Sequence, residues 1–429
     1  MHDGGTPHAK RWAERESRKE TEKRATELVM ITLLPNHACL VTTPEVWMES
    51  AAVEQLARVA ALPSCRRAVG MPDLHPGRGI PIGAAFLFDD RVWPDLVGSD
   101  AGCGVLLLIG TREGPRGDAL ERRVRRALEE PLLDGVDRDR LLAVAWTHGP
   151  RGLATMDGLP ESLREIAARL GDDDGESAAI PDAPGAGVQL GSIGGGNHFA
   201  EVVCIERIFD RRFANDHGMH AGASAVLVHT GSRGLGATLA GTHAGISLMG
   251  EAIEPYLGRL RGAIRYARTN RLLVAWRIAT AAGLGTASRI AAVIDVVHND
   301  VSPHAAGFLH RKGAAPAALD ELTIVLGSRG APSFVLRGAG SVAHLASVAH
   351  GAGRRMGRAE ARAKLRDRHP KSTLSRTAIG SRVLSDDPAS MLEEHPDAYK
   401  PIDPVIQALE SHGLASRVAS LVPLVTVKR

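Results

Sequence analysis

The chain has 429 residues, of which 44% are hydrophobic and only 3% aromatic, so its core must be built from aliphatic side chains and alanine. A formal net charge of +3 argues against a protein that coats nucleic acid over its whole surface, although it leaves room for a local basic groove. No two of the four cysteines form a C-x-x-C pair, which argues against a disulfide framework or a zinc ribbon. Because no apolar run is long enough for a membrane span, we expect a cytoplasmic protein without a membrane partner.

The N-terminal segment is charged and has no apolar face, so we predict a flexible extension over residues 1–30 and one large domain over residues 31–429. Within the domain, the spacing of Ala52, Leu56 and Val59 predicts an amphipathic helix in PEVWMESAAVEQLARVAALP. Further helices are predicted in GDALERRVRRALEE, PYLGRLRGAIRYARTNRLLVAWRIATAA and GRRMGRAEARAKLRDR.

Short β-type runs lie between the predicted helices, each beside a glycine-rich turn. They are GAAFLF, GVLLLIG, AVLVHTG, RIAAVIDVVHND and LTIVLGS. Strands and helices are mixed without the regular alternation of a βαβ protein. We therefore predict an α+β fold with mixed β-sheets flanked by helices.

A run of three glycines stands directly before Asn197 and His198 in GSIGGGNHFAEV. Glycine loses more backbone freedom on folding than any other residue, so such a run indicates backbone that turns sharply or approaches something closely. A tight turn in front of a buried core histidine is the alternative interpretation, and for this motif alone it is the commoner one.

Four polar clusters, each flanked by glycines and set beside an apolar run, suggest a metal site. They contain Asp100 and Cys103 in GSDAGCGV, His198 in GGGNHF, His229 in VLVHTGSRGLG and His298 in VIDVVHND. Carboxylate, thiolate and imidazole together suit a divalent transition metal, and a thiolate can bridge two ions. Each histidine could instead be a core residue and the cysteine a buried apolar group. Because the pattern occurs four times, a metal site is favoured over four separate core residues.

Three further segments have the residue types that hold phosphates. Arg233 lies in HTGSRGLG, Lys312 lies in LHRKGA, and LGSRGAPS carries Ser328, Arg329 and Ser333. The G-x-x-x-x-G-K-[ST] pattern of a P-loop is absent from the sequence. Each segment alone could be an ordinary turn, but together with the metal pattern they predict a phosphate site.

A candidate nucleophile is His350, which precedes Gly-Ala-Gly in VAHGAGRRMGR with Arg354 and Arg358 close behind. A neutral imidazole can attack phosphorus and form a phosphoramidate. The alternative is that this segment caps the following helix and its arginines face solvent.

In order along the chain, these motifs, together with VGMPDLHPGRGIPIGAAF, AIRYARTNR and LVPLVTVK, resemble those of the RtcB family of RNA ligases from about Trp47 to the C-terminus. The resemblance implies an RtcB-like catalytic domain that joins an RNA 3′-phosphate or 2′,3′-cyclic phosphate to a 5′-hydroxyl, in RNA repair or tRNA splicing. It also implies GTP and two Mn²⁺ ions as cofactors. GMP would be joined first to His350 and then to the RNA 3′-phosphate, before the 5′-hydroxyl attacks.

The resemblance also assigns residues by motif position. The metal ligands would be Asp100, His198, His229, His298 and a bridging Cys103. The nucleotide contacts would be Asn197, His198, Phe199, Ala200, Glu201, His298, Asn299, Leu326, Gly327, Ser328, Arg329, Ser333, His350, Gly351, Ala352, Gly353 and, for the guanine, Lys428. Arg233 and Lys312 would hold RNA phosphates. Asp73, in MPDLHPG, would either orient a reacting group or stabilise a turn.

The chain departs from the family pattern at several positions, which indicates a divergent member. Arg329 stands where the family usually has methionine, and its added charge could alter nucleotide choice. The alternatives to an RNA ligase are a nucleotidyltransferase that caps 3′-phosphate ends without efficient sealing and a non-catalytic RNA-binding relative. The physiological RNA and the need for an accessory activator protein as a further partner stay open.

Overall fold

A computed structural model of the chain describes residues 30–171 and 175–428. The extension predicted over residues 1–30 therefore lies outside the described residues apart from its last one. Within them, strands and helices are mixed in no repeating βαβ order, so the predicted α+β class is confirmed.

The strands carry most of the site and are numbered in chain order. They are β1 Met30–Leu33, β2 Ala38–Thr42, β3 Cys65–Pro76, β4 Pro81–Phe88, β5 Arg91–Val92, β6 Gly104–Gly110, β7 Phe199–Ile208, β8 Ser224–Thr230, β9 Leu248–Met249, β10 Ile290–Val297, β11 Asn299–His304, β12 Gly307–Lys312, β13 Ala314–Pro316, β14 Leu322–Val325, β15 Ser333–Gly338, β16 Ser347–Ala349, β17 Arg382–Ser385 and β18 Ala415–Lys428.

The helices lie between these strands. They are α1 Ser50–Ala60, α2 Gly117–Glu129, α3 Arg138–Thr147, α4 Glu161–Ala167, α5 Ala186–Gln189, α6 Arg211–Asp216, α7 Gly234–Thr242, α8 Ile253–Ala281, α9 Arg358–Leu365, α10 Pro388–Glu393 and α11 Ile402–Ser411.

Two large sheets organise the described chain. The smaller has the strand order β1-β2-β3-β4-β12-β11. The larger has the order β10-β6-β8-β7-β18-β15-β14, and β17 pairs with β18 in parallel. Two short ladders, β13 with β16 and β5 with β9, complete the pairing.

The two sheets pack face to face, with helices on their outer sides. Side chains alternate across β6, so Leu107 enters the core between the sheets, with Met71 of β3, while Leu106 and Leu108 pack toward α8. A sheet covered on both faces needs an apolar side chain at every position, which explains the unbroken run GVLLLIG. On the far side of the smaller sheet, α1 packs Leu56 against the same apolar cluster as Phe86. The layers are thus helix, sheet, sheet and helix.

The predicted helices and β-type runs all correspond to observed elements, with shifts of a few residues at their ends. The described strands outside these runs were not predicted, and they include the two longest. One is β3, whose pairing with β4 shifts register between Gly70 and His75. The other is β18, which spans 14 residues and shifts register on β7 beside Pro423. A proline cannot donate to the ladder, so the shift is what lets this strand continue.

None of the helices in residues 30–171 and 175–428 is both long enough and apolar enough to cross a membrane.

The long helix α8 contacts α3 through a glycine. A Cβ atom added at Gly262 would lie 2.1 Å from Cε2 of Trp146, whose indole N–H donates to the main-chain oxygen of Ala178 at 2.6 Å. The ring is therefore held in place and cannot easily yield to a larger residue.

We expect Gly262→Ala to lower the free energy of unfolding by about 1–3 kcal/mol through overpacking, which outweighs the gain of about 1 kcal/mol in helix propensity. Urea unfolding measures the change. Gly241→Ala in α7 is the control, because its added Cβ meets nothing within 4 Å and should not destabilise the protein. Equal unfolding energies for the two variants would contradict this packing.

Candidate active site

The antiparallel order β10-β6-β8-β7 gathers the predicted metal ligands at one edge of the larger sheet. Cys103 precedes the start of β6, His229 lies near the end of β8, and His198 precedes the start of β7. His298 follows the end of β10, which pairs with β6. In antiparallel neighbours the start of one strand lies beside the end of the next, so residues up to about 200 positions apart become neighbours.

The predicted ligands form two groups that share one thiol. Asp100, Cys103 and His198 make one group, and Cys103, His229 and His298 make the other, with the ligand atoms of each group within 4.8 Å of one another. His198 Nε2 lies 2.7 Å from Asp100 Oδ2 and 3.5 Å from Cys103 Sγ. His229 Nε2 lies 3.3 Å from the same sulfur and 3.3 Å from His298 Nε2. We call these two groups the paired ligand triads.

The state of the imidazoles suits metal binding. His229 Nδ1 lies 3.2 Å from the main-chain oxygen of Asn197, an acceptor that fixes the proton on Nδ1 and leaves Nε2 free to ligate. Burial lowers the pKa of both His229 and His298 well below the usual value, and neighbouring histidines lower it further. Both rings are therefore neutral at neutral pH, which is the form that binds metal.

The two acidic ligands, Cys103 and Asp100, are held in opposite protonation states. Burial raises the pKa of the Cys103 thiol well above its usual value, and the Asp100 carboxylate raises it further. For Asp100, burial alone would raise the pKa, but the hydrogen bond and charge of His198 outweigh burial and lower it. A divalent cation would stabilise the thiolate and compensate the half-buried carboxylate. Shared thiol, neutral imidazoles and ionised carboxylate thus fit a pair of divalent transition-metal ions.

Two side chains of α8 hold the loops that carry these ligands. The Arg271 guanidinium is fully buried and donates to the main-chain oxygens of Gly102 at 2.7 Å and Thr230 at 3.0 Å. Its Nε donates to Asp295 Oδ1 at 2.7 Å. Asn270 accepts from the main-chain N–H of Gly191 at 2.7 Å and so holds the loop of the glycine run. The sequence analysis found these two residues only as part of the family motif AIRYARTNR.

At two glycine positions of the site, neighbouring side chains come too close to the backbone to leave room for a Cβ atom. A Cβ on Gly231 would lie 2.0 Å from Asp100 Oδ1, and a Cβ on Gly194 would lie 1.8 Å from Arg233 Nη1. The glycine run therefore makes room for the guanidinium of Arg233, which lies 3.2 Å from His198 Nδ1. The predicted RNA contact Arg233 is thus placed beside a predicted metal ligand.

The predicted nucleophile lies next to the paired ligand triads. The ring of His350 is 4.8 Å from that of His298, centroid to centroid. Its Nδ1 lies 2.7 Å from Oδ2 of the fully buried Asp73, and its main-chain N–H donates to the same oxygen at 3.3 Å. The ring nitrogen and the carboxylate are close but not aligned as in a well-formed hydrogen bond. The shift of register in β3 brings Asp73 to this position.

The segment 326–333 lies directly against His350. The main-chain N–H of Leu326 donates to the main-chain oxygen of His350 at 3.0 Å, and Leu326 bridges to Gly351. Ser333 Oγ accepts from the main-chain N–H of Gly327 at 3.0 Å, which closes this loop. The structure therefore brings two of the predicted nucleotide segments together.

The other predicted nucleotide residues lie around the glycine run. Lys428 Nζ donates to the main-chain oxygens of Gly196 at 2.6 Å and His198 at 3.0 Å, and burial lowers its pKa to about 8. Asn299 donates to the main-chain oxygen of Asp100 at 3.1 Å. Glu201 is bonded within the sheet, where its Oε1 accepts from Thr426 at 2.6 Å. Burial raises the pKa of Glu201 to about 7.

The second predicted RNA contact, Lys312, is partly buried behind the ligands. Its Nζ donates to the main-chain oxygen of Val97 at 2.6 Å. Burial lowers its pKa, while the nearby Asp100 and Cys103 favour its charge. The amino group of Lys312 therefore lies close to the paired ligand triads.

Arg329, where the family resemblance led us to expect methionine, lies in the segment 326–333. The residue is 8% exposed, yet its Nε and Nη1 have no hydrogen-bond partner among the described residues. Burial lowers its pKa to about 10, whereas Glu394 and Tyr399 support its charge. Buried donors without partners lower the stability of the folded protein, so these two donors are available to an acceptor atom of a ligand.

A polar network that sequence reasoning missed lies on the same side. The carboxylate of Glu394 is hydrogen-bonded to the hydroxyl of Tyr399. It also accepts hydrogen bonds from Arg354 Nη1 at 3.0 Å and from Arg358 Nε at 3.1 Å. No sequence motif indicates this network, because Glu394 lies 40 residues beyond Arg354 in an ordinary acidic stretch.

The chain is similar to known proteins over most of its length. The model of a family described as tRNA-splicing ligase RtcB matches residues 55–252 and 244–429. The chain is 37% identical to an RNA-splicing ligase RtcB2 of Escherichia coli over 90% of this chain and 94% of the relative. It is 31% identical to an RNA-splicing ligase RtcB of Mycobacterium tuberculosis over 87% of this chain and the full relative. A tRNA-splicing ligase RtcB of Archaeoglobus fulgidus is 29% identical over 89% of this chain and 92% of the relative.

The buried guanidinium in α8 yields a test of how the ligand loops are held. We expect Arg271→Met to lower the free energy of unfolding by about 3–5 kcal/mol, because it leaves Asp295 buried with less compensation. It should also reduce the metal bound per chain, as the carbonyls of Gly102 and Thr230 lose their donor. Urea unfolding and elemental analysis measure the two effects.

The control for this test is Arg259→Met, an exposed arginine on the same helix. It should change neither stability nor metal content. A variant of Arg271 with unchanged metal content would show that the loops keep their position without the guanidinium.

Proposed function

The chain belongs to the RtcB family, and we propose that it is an RNA ligase that uses GTP and two Mn²⁺ ions to join RNA 3′-phosphate or 2′,3′-cyclic phosphate ends to 5′-hydroxyl ends. The observation that carries the proposal is the position of His350. A nucleophilic histidine beside a buried carboxylate lies 4.8 Å, ring to ring, from a histidine of the paired ligand triads. This arrangement supports attack on a phosphate held by metal.

In the proposed first step, Asp73 orients the imidazole of His350 from its Nδ1 side and leaves Nε2 to attack the α-phosphorus of GTP. A P–N bond forms and pyrophosphate leaves. The GMP group then passes to the RNA 3′-phosphate, and the RNA 5′-hydroxyl displaces GMP. Manganese bound by the triads would supply charge that offsets the negative charge developing on the phosphates.

The nucleotide would lie between the glycine run and the segment 326–333, the second of which lies directly against His350. Lys428 is proposed to face the guanine, and Arg233 and Lys312 are proposed to hold RNA phosphates. The short distance between Arg233 and His198 supports an RNA end positioned at the metal ions.

Two alternatives share this site. A nucleotidyltransferase would carry out the His350 step and the capping of the 3′-phosphate without efficient sealing, and a non-catalytic relative would only bind RNA. The presence of all five metal ligands and of His350 favours an enzyme. We propose RNA repair or splicing in the cytoplasm as its setting.

The histidine step is tested with α-³²P-labelled GTP and Mn²⁺ on a denaturing gel. We expect an acid-labile label on the wild-type protein and none on His350→Ala. The exposed His304→Ala is the control and should be labelled as the wild type is. Absence of label on wild-type protein that has bound metal would overturn the proposal. Adding a 3′-phosphate RNA with and without a 5′-hydroxyl RNA then separates ligation from capping by the product formed.

A second test concerns Arg329, whose unpartnered donors we expect to bind the nucleotide. Arg329→Met should weaken GTP binding at least about tenfold, because a hydrogen bond to a charged group contributes about 1.5–3 kcal/mol. Without nucleotide the same variant should unfold at a higher urea concentration, since a buried guanidinium with unpaired donors is removed. Arg376→Met, at an exposed arginine, is the control for both measurements. Unchanged affinity for GTP in Arg329→Met would exclude the contact.

A further inference from the structure

We propose that His369, His395 and Asp397 form a separate binding site for one divalent transition-metal ion of the zinc type. This site, which we call the outer triad, shares no residue with the paired ligand triads. It is independent of the reaction proposed above.

The geometry brings three ligand atoms together from two segments of the chain. The ligand atoms of the three residues lie within 4.8 Å of one another. His369 Nε2 is 2.8 Å from Asp397 Oδ2, and His395 Nδ1 is 3.7 Å from the same oxygen. The two imidazole rings are stacked, with centroids 3.8 Å apart and an angle of 27° between their planes. Small side-chain movements would therefore bring all three atoms to one ion.

The donor set matches zinc chemistry. Two imidazole nitrogens and one carboxylate oxygen make up a three-ligand zinc site, in which water takes the fourth position. The side chains are partly exposed, at 27% for His369, 14% for His395 and 44% for Asp397. An ion can thus enter from solvent, and a water molecule can complete its coordination.

The neighbouring polar groups leave the carboxylate available. The Arg355 guanidinium donates to the main-chain oxygen of Asp397 at 2.8 Å, not to its carboxylate. The main-chain N–H of Asp397 donates to His395 Nδ1 at 3.2 Å, a long bond that an ion would replace. Without an ion, the same contacts would be a hydrogen-bonded histidine–aspartate pair beside a stacked ring. That alternative makes a different prediction, because it binds no metal.

An ion in the outer triad would join two segments that flank the candidate active site. His369 follows α9, and its main-chain N–H donates to the main-chain oxygen of Leu365 at 2.9 Å. The segment that carries Asp397 pairs with the chain just after His350. There, the main-chain N–H of Arg355 donates to the main-chain oxygen of Ala398 at 2.9 Å. The main-chain N–H of Lys400 donates to the main-chain oxygen of Gly353, also at 2.9 Å. The ion would thus hold this segment against the loop of the proposed nucleophile.

The test counts zinc ions per chain after equilibration with Zn²⁺ and removal of free metal. The comparison is made in a Cys103→Ala background, which removes the ligand shared by the paired triads. We expect His369→Gln and Asp397→Asn each to bind one zinc ion per chain fewer than this background. His220→Gln, at an exposed histidine, is the control and should lose none. Equal zinc content in all these proteins would overturn the proposal, whatever the ligase assays show.

A second measurement distinguishes a metal site from a change in local packing. Hydrogen exchange of the main-chain amides of Arg355 and Lys400 should slow at least tenfold when Zn²⁺ is added to the Cys103→Ala protein. No slowing is expected in the protein that carries both Cys103→Ala and His369→Gln. Slowing of the same size in both proteins would place the bound ion elsewhere and refute the outer triad.

Discussion

The buried guanidinium of Arg271 is the interaction on which the candidate active site depends. It leaves the helix α8, reaches the edge of the larger sheet and binds the main-chain oxygens of Gly102 and Thr230, which lie next to two ligand-bearing segments. Asp295, on the neighbouring strand β10, compensates its charge. Removing a charge from water in this way is costly unless every donor is used, and here the partners are main-chain atoms of the ligand loops. Helix, sheet and loops are therefore fixed relative to one another by one side chain.

The same site combines strongly satisfied groups with unsatisfied ones. Asn270 and Arg271 have partners that hold loops, whereas two donors of Arg329 have none among the described residues. The thiol of Cys103 is kept protonated by burial until a cation compensates its charge. The loops of the site are thus held by side chains bonded within the protein, whereas two donors of Arg329 are left for a ligand. This division is expected of a site that is formed before its ligands arrive.

Local patterns in the sequence were enough for some of the regular elements and for the choice of ligand residues. The helix α1 followed from the spacing of Leu56 and Val59, and β6 followed from an apolar run that only a doubly covered sheet requires. Histidine, cysteine and aspartate beside glycine turns suggested a metal site, and the paired ligand triads place those residues together. The family resemblance, which long motifs carried, is confirmed by the comparisons. The roles of the individual site residues and the division into an extension and one catalytic domain stay predictions.

The sequence by itself determined some of the helices and strands, such as α1 and β6, and the residue types that are available for metal and phosphate chemistry, because both depend on neighbours in the chain. Tertiary structure decided what depends on contacts between distant segments. The register shift in β3 brings Asp73 to His350, across 277 positions of the chain. The antiparallel strand order makes Cys103 the shared member of two triads. The outer triad likewise exists only because the turn at Asp397 folds back onto the end of α9. No local pattern encodes such pairings, since each is set by how the sheets and helices pack.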